Sequence, residues 1–189
     1  TVYGGIAGDV MAADAQKMGA LHDPDETILD QELARAIIPF SAKPGNVQEL
    51  RVRLMDAMWD DVGVMRDAAG LKRGIEKIAS LKTDMENVGV SADNLAFNLS
   101  WHDWLSLQSL IDTSEVIAKA GLSRENSRGA HFREDFPDAG SLDDSYFTIA
   151  TSGDKGIEVS REAVKFTIVK PGESLLGADE AETLVEAAQ

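Results

Sequence analysis

The most informative part of this chain is the segment Ser127-Arg128-Gly129-Ala130-His131-Phe132-Arg133-Glu134-Asp135-Phe136-Pro137. It combines two arginines, a histidine, two acids and two phenylalanines, and it ends on a proline. It follows Ser109–Leu122, whose apolar spacing predicts a helix, so we expect the chain to turn here. Clustered guanidinium groups suit a carboxylate, a phosphate or a facing acidic surface.

Two roles are compatible with this segment. Arginines on either side of His131 should lower its pKa and keep the imidazole neutral, which would permit acid–base chemistry. The segment offers no partner nucleophile for the histidine, so a structural role is favoured over catalysis. In that role Arg128 and Arg133 pair with acids on a facing domain. Phe132 and Phe136 pack inward.

Upstream of this segment the apolar residues recur at helical spacing. The pattern predicts helices at Gly4–Gly19, Glu26–Ile38, Val47–Val62, Leu71–Met85 and Asn94–Lys119. Asn46 is a suitable N-cap for the third helix, and Pro39 is expected to close the second. Phe40–Gly45 is the best candidate for a linker. The last three helices, joined by short connections, predict a helical bundle.

After Pro137 the sequence becomes β-branched and aromatic. Ser145–Thr151 and Val164–Val169 predict two strands, and the turn-rich Ser152–Gly156 lies between them. We therefore expect a β-hairpin beside the bundle. The acidic end, Gly172–Gln189, predicts a short helix or a loose tail.

The amino-acid composition argues against several classes of function. The 189 residues are enough for one domain with a substantial core. A formal charge of -15 argues against nucleic-acid or anionic-membrane binding, since both need surplus lysine and arginine. The chain has no cysteine, so it supplies no disulfide and no iron–sulfur ligand. No apolar run reaches the roughly 18 residues that a membrane span needs.

Neither a metal nor a cofactor site is predicted. His22 and His102 have no second ligand at metal spacing. The Gly4-Gly5-x-x-Gly8 run lacks the preceding strand, and the acid some 20 residues later, that a dinucleotide fingerprint requires. We therefore assign no catalytic, cofactor-binding or metal-binding residue to this chain.

Two segments carry a resemblance to a known family. Ser127–Pro137 resembles the Ser-Arg-Gly-Ala-His-x-Arg-x-Asp-x-Pro signature in the C-terminal domain of succinate dehydrogenase and fumarate reductase flavoprotein subunits. L-aspartate oxidases carry a looser version. Met58–Arg66 resembles the Met-x-x-x-Val-Gly-Val-x-Arg segment of the same flavoproteins, and a Leu-x-x-Gly element follows in both. In physical terms Gly63 permits a sharp helix exit, and Arg66 can brace neighbouring carbonyls.

The start of the chain carries a third point of resemblance, because Val2–Gly8 looks like the helix that ends the flavin-binding domain in this family. The resemblance implies a mainly α fold. It would be a spectrin-like, up-down three-helix bundle with a small C-terminal β-hairpin, preceded by a helix left over from a flavin-binding domain. The implied domains are 1–39 for the flavin-domain helices, 40–140 for the bundle, and 141–189 for the hairpin and tail.

The resemblance also implies a function. The chain would be the C-terminal helical domain of an FAD-dependent oxidoreductase of the succinate/fumarate class, cut from a longer protein. FAD and the catalytic arginine would belong to the parent chain, and the chain alone is expected to be inactive and without cofactor. Expected partners are the missing FAD-binding and capping domains and an iron–sulfur subunit. The parent would be cytoplasmic and peripheral to the inner membrane in a complex.

The interface candidates are Arg128, His131, Arg133 and Arg66. We expect Arg128, His131 and Arg133 at the surface or edge of the bundle, because a buried unpaired guanidinium is very costly. We also expect Gly4–Gly19 to expose apolar surface and to promote self-association. The alternative is a stand-alone helical protein-interaction module without catalysis.

Overall fold

The computed structural model describes residues 2–20, 23–153 and 156–174. In this part the chain forms five helices and two short two-stranded sheets. The elements are α1 (Val2–Met18), α2 (Glu26–Ser41), α3 (Val47–Val62), β1 (Met65–Arg66), α4 (Ala68–Glu86), α5 (Leu99–Ser123), β2 (Phe132–Arg133), β3 (Tyr146–Gly153) and β4 (Gly156–Ala163). The mainly helical fold is thereby confirmed. The tail predicted beyond Ser174 lies outside the described residues.

The chain divides into two compact units, Thr1–Ile38 and Pro39–Gln189. In the first unit the described side chains of α1 are all exposed. The large apolar ones among them are Tyr3, Ile6, Val10, Met11 and Met18. The predicted exposure of this helix is confirmed. Its assignment to a flavin-binding domain stays a prediction.

The second unit is built on the bundle of α3, α4 and α5. Each helix turns one apolar stripe inward, as the helical spacing predicts. The fully buried side chains at the centre are Leu71, Ile78, Leu81, Trp104, Leu107 and Ile111. Burying a side chain of this size contributes about 1.5–3 kcal/mol, so this core dominates the stability of the unit.

Asparagine and aspartate side chains set the helix starts. Asn46 Oδ1 accepts a hydrogen bond from the Glu49 backbone N–H at 3.1 Å and caps α3, as predicted. Asp67 Oδ1 accepts from the Gly70 backbone N–H at 2.6 Å and caps α4. These caps satisfy backbone donors that the first helical turn leaves without partners.

The predicted start of α5 at Asn94 was wrong, because the helix begins at Leu99. Asn98 is the N-cap, and its Oδ1 accepts from the Trp101 backbone N–H at 3.0 Å. Its Nδ2 donates to the carbonyls of Ala92 and Asn94, which holds the preceding residues in a loop. Asn98 therefore competes successfully with helix formation upstream.

Pro39 does not close α2, contrary to prediction. The helix continues to Ser41, with Pro39 buried inside it. The residues predicted as a linker are held against the α4–α5 connection, since Gly89 N–H donates to the Lys43 carbonyl at 2.9 Å. Phe40 packs edge-on against Trp101, with ring centroids 5.4 Å apart. Burial of Pro39 offsets the backbone hydrogen bond that a proline cannot make.

The hairpin was predicted at the correct place but with the wrong second strand. β3 runs on through Gly153 and pairs antiparallel with β4, so Gly153 lies opposite Gly156. The predicted strand Val164–Val169 lies beyond β4 and is not in the sheet. β4 begins at Gly156, which takes the positive φ of 96° that glycine tolerates, so the segment that pairs with β3 precedes the predicted strand. The predicted turn includes Asp154 and Lys155, which lie outside the described residues.

Candidate functional site

The two family-like segments meet in space. β1 and β2 form a parallel pair in which Met65 lies opposite Phe132 and Arg66 lies opposite Arg133. The Glu134 N–H extends the pairing by donating to the Arg66 carbonyl at 2.8 Å. Segments about 65 residues apart in sequence thus present their basic side chains together.

Arg66 closes the C-terminal end of α3. Its Nε donates to the carbonyls of Val62 at 3.0 Å and Gly63 at 2.7 Å, as the sequence predicts. Gly63 is required at this exit, because an added Cβ would stand 2.5 Å from the Trp59 carbonyl oxygen. Burial lowers the pKa of Arg66, which nevertheless stays cationic at neutral pH.

His131 lies between two arginines and is held through both ring nitrogens. Its Nδ1 is 2.9 Å from Arg66 Nη1, and its Nε2 is 3.2 Å from the Arg124 carbonyl oxygen. A neutral ring satisfies both contacts when Nδ1 accepts and Nε2–H donates. Burial lowers its pKa, and the charges of Arg66, Arg124 and Arg133 lower it further against the Arg124 carbonyl bond. The direction is as predicted, but burial is the main cause, and of the two flanking arginines only Arg133 contributes.

Arg133 is buried, with 1% of its surface exposed, so the expectation of a surface position was wrong for this residue. Its Nη1 donates to three carbonyls at the end of α5, those of Gly121, Leu122 and Arg124. A cation is favoured there because the helix dipole is negative at its C-terminus. Local carbonyls satisfy the guanidinium that we expected to need a facing domain.

Asp135 completes this arrangement. Its carboxylate takes both Arg133 Nε and Nη2 at 2.7 Å, which is the bidentate geometry of a strong ion pair. Asp135 Oδ2 also accepts from the Ala68 N–H at 3.0 Å, at the first residue of α4. The Arg133 bond lowers the pKa of Asp135 to about 2. We call Arg133 and Asp135 the α4–α5 brace, since they link the two helix ends.

The phenylalanines of the segment do not pack inward as predicted. Phe132 is 38% exposed and Phe136 is 37% exposed. The Arg133 guanidinium lies 5.0 Å from the Phe136 ring centroid, so this ring covers the brace from outside. Arg133 therefore fills the interior position that we assigned to the aromatic rings.

Arg128 organises the loop that leads to the hairpin. It donates through Nη1 to Ser145 Oγ at 2.8 Å, and it also binds the carbonyls of Ala139 and Ser141. Gly129, with φ of 57°, forms the turn that pairs Arg128 with His131. Arg128 is half-buried and its acceptors are neutral.

Sequence reasoning missed Arg124. Its Nε donates to Asn126 Oδ1 at 3.0 Å, and its Nη1 contacts the Tyr146 carbonyl and Thr148 Oγ1. The guanidinium also lies 4.9 Å from the Tyr146 ring centroid. Its position four residues before Arg128 in the sequence was the signal that could have found it.

An open groove of about 740 Å³ lies between the end of α5 and the hairpin. We call it the arginine groove. Its basic side is formed by Arg66, Arg124, Arg128 and His131, and its aromatic side by Tyr146, Phe147 and Phe166. Arg66, Arg128 and His131 are three of the four interface candidates named from sequence, and the structure brings these three together here, whereas the fourth, Arg133, lies buried in the brace.

A second ionic cluster, also missed from sequence, lies inside the bundle. Asp61 on α3 is 5% exposed and contacts Arg73 Nε at 3.1 Å and Lys77 Nζ at 2.6 Å on α4. Burial alone raises the pKa of Asp61, but the hydrogen bonds and charges of Lys77 and Arg73 outweigh it and lower the pKa. Gly74 permits this close approach, because an added Cβ would lie 2.7 Å from Val62 Cγ2.

The described residues do not form a dinucleotide cradle. Gly4, Gly5 and Gly8 lie inside α1, and a Cβ added to any of them would meet nothing within 4 Å. In the described part of the chain no three potential metal-binding side chains lie together. Among the helices described, none is long and apolar enough to cross a membrane.

Comparison with known proteins identifies the family to which this chain belongs. The model of the family described as fumarate reductase flavoprotein C-term matches residues 51–175, which include both motifs and all of the bundle except the first turn of α3. The chain belongs to this family. The family predicted from the two motifs is thus confirmed.

The relatives are much longer than this chain. A fumarate reductase (CoM/CoB) subunit from Methanothermobacter marburgensis is 30% identical over 72% of this chain and 24% of its own length. The fumarate reductase flavoprotein subunit of Haemophilus influenzae is 26% identical over 94% of this chain and 30% of its own length. The chain therefore spans about a quarter to a third of such relatives.

A solved structure supports the same family assignment. Mycobacterium smegmatis Sdh1 in complex with UQ1 superposes with a TM-score of 0.69 at 26% identity. The match covers 90% of this chain and 29% of the larger one. The chain thus has the architecture of the C-terminal domain of a succinate dehydrogenase or fumarate reductase-type flavoprotein.

Proposed function

We propose that this chain acts as the docking and bracing domain of an FAD-dependent oxidoreductase that interconverts a dicarboxylate of the succinate/fumarate class. Its flavin and its reacting groups would reside in other parts of the parent protein. The chain alone would then bind no flavin and catalyse no turnover. This division fits relatives three to four times longer than the region they share with it.

One observation carries the docking role. Arg66, Arg128 and His131 converge on an open groove, and hydrogen bonds within their own unit, including the one between Arg66 and His131, already orient each of them. Side chains held in this way are ready to contact another surface without further ordering. Within the proposal that surface belongs to the FAD-binding and capping domains, and a further partner is an iron–sulfur subunit.

The remaining partner assignments follow from the same proposal. The parent is placed in the cytoplasm, peripheral to the inner membrane within a complex. The exposed apolar residues of α1 would be covered by the flavin-binding domain in the parent. In the isolated chain they would support self-association.

Isolation of the parent protein tests this function. An antibody against the chain should recover, from the natural source, a protein several times heavier than 20.3 kDa with bound flavin. That protein should reduce an electron-accepting dye with succinate or oxidise a reduced dye with fumarate. The purified 189-residue chain is the matched control and should be colourless and inactive. A natural protein of 20.3 kDa without flavin would instead establish a stand-alone interaction module.

A further inference from the structure

We propose that the arginine groove docks an acidic peptide segment in which an apolar side chain stands next to a carboxylate. The inference rests on the proposed function, because it names the chemistry of the surface on which this domain docks. It adds Arg124 and the aromatic side of the groove to the interface candidates found from sequence.

The charge of the groove is the first argument. None of the residues that line it is an aspartate or a glutamate, although the whole chain has a formal charge of -15. Within the described residues Arg66, Arg124 and Arg128 form no ion pair. Arginines elsewhere do, as Arg53 does with Asp84 at 2.7 Å. A concentrated positive charge without a counter-ion attracts an acidic partner.

The donors of these arginines are the second argument. In the described part of the chain the hydrogen bonds of Arg66 use Nε and Nη1, and those of Arg124 also use Nε and Nη1. The Nη2 group of each is left for a ligand. Because hydrogen bonds to backbone and side-chain oxygens already fix both arginines, a carboxylate can bind without the entropic cost of ordering them.

The aromatic side of the groove favours an anion that carries an apolar group. Phe147 is 57% exposed and Phe166 is 40% exposed, so the groove offers apolar surface beside the guanidinium groups. A free dicarboxylate would leave that surface uncovered. An open volume of about 740 Å³ is also large for such a small acid and suits several residues of an extended chain.

Side-chain NMR tests the site directly. The 189-residue chain is titrated with a capped hexapeptide of alternating glutamate and leucine, and the arginine Nε–Hε resonances are followed. We expect those of Arg66, Arg124 and Arg128 to shift, with Arg53 unchanged. The same peptide with glutamine for glutamate should bind at least about tenfold more weakly, because charge-assisted bonds are lost.

Single substitutions show which side chains contribute to the binding of the peptide. Arg124→Gln should weaken binding about tenfold or more, and Phe147→Ala should weaken it severalfold through lost apolar contact. The matched control Arg53→Gln removes an exposed arginine elsewhere and should leave the affinity within about twofold. Because Phe147 is exposed, Phe147→Ala keeps the test decisive should Arg124→Gln fail to fold.

Three results would overturn the proposal. They are equal binding of the glutamine peptide, equal loss of affinity in Arg53→Gln, or arginine shifts that succinate at the same concentration reproduces fully. The last result would assign the groove to a small dicarboxylate. The flavin content of the parent is measured separately, so failure of the docking site can be told apart from failure of the proposed function.

Discussion

The α4–α5 brace and the arginine groove are neighbours, and both contain arginines. They differ in whether a carboxylate balances the positive charge. In the brace Arg133 is buried, Asp135 neutralises its charge, and three carbonyls at the end of α5 accept its hydrogen bonds. In the groove Arg66 and Arg128 are half-buried and bind neutral acceptors. The brace contains its own counter-ion, whereas no carboxylate lines the groove among the described residues.

The largest expected effect is at the brace. Arg133→Gln removes a bidentate ion pair and leaves carbonyls at the end of α5 without donors. We expect a loss of about 3–5 kcal/mol in the free energy of unfolding, measured by urea titration. Arg128→Gln is the matched control in the same segment, with a loss of about 1 kcal/mol. Equal losses in the two variants would abolish the distinction between brace and groove.

The buried cluster inside the bundle should come next. Asp61→Asn removes the charge that Arg73 and Lys77 contact, but both cations are about half exposed and can be hydrated instead. We expect a loss of about 1–3 kcal/mol by urea titration. Asp84→Asn, which breaks the surface pair with Arg53, should cost less than about 1 kcal/mol. A larger loss in Asp84→Asn would show that burial is not what makes Asp61 important.

Acid should weaken the brace in a defined pH window. The pKa of Asp135 falls from 3.8 to about 2 on folding, because Arg133 donates to the carboxylate. The unfolded chain therefore binds more protons in this range, and the stabilisation present above pH 3.8 is lost as the pH falls toward 2. We expect this loss to be about 2 kcal/mol at most. Asp135→Asn should be less stable at neutral pH and should show a smaller change between about pH 4 and pH 2.

The smallest effect should come from His131 at the edge of the groove. Burial, with the charges of Arg66, Arg124 and Arg133, lowers its pKa below 6.5. The stability from the neutral ring is therefore fully present above pH 6.5 and is lost as the pH falls through the folded-state pKa. An NMR titration of the imidazole should give a midpoint below 6.5. His131→Gln should remove this part of the pH dependence, and a midpoint above 6.5 would contradict the contact with Arg66.

Local signals in the sequence were sufficient for much of the fold. Asn46 and the stripe in Val47–Val62 predict α3 correctly, since capping and helical periodicity act within a few residues. The Ser127–Pro137 and Met58–Arg66 segments were sufficient to identify the family. Of the four interface candidates named from these segments, Arg66, Arg128 and His131 line one groove, whereas Arg133 does not.

Long-range contacts explain what was predicted wrongly. Pro39 looks like a helix end by its local chemistry, but burial against the bundle keeps it inside α2. Val164–Val169 has strand composition, yet β3 pairs with Gly156–Ala163, the segment just before it. In each case a contact with a residue outside the local pattern outweighed the local preference.

The sequence alone was enough to establish the helical class, the bundle and the family, because these depend on periodicity and on local motifs. Tertiary structure alone separates Arg133 from Arg128. They lie five residues apart in one segment and carry the same charge. The end of α5 and the start of α4 converge on Arg133 and Asp135, whereas Arg128 faces a groove. Burial and the choice of partner depend on where distant helix ends meet, and no local pattern encodes that position.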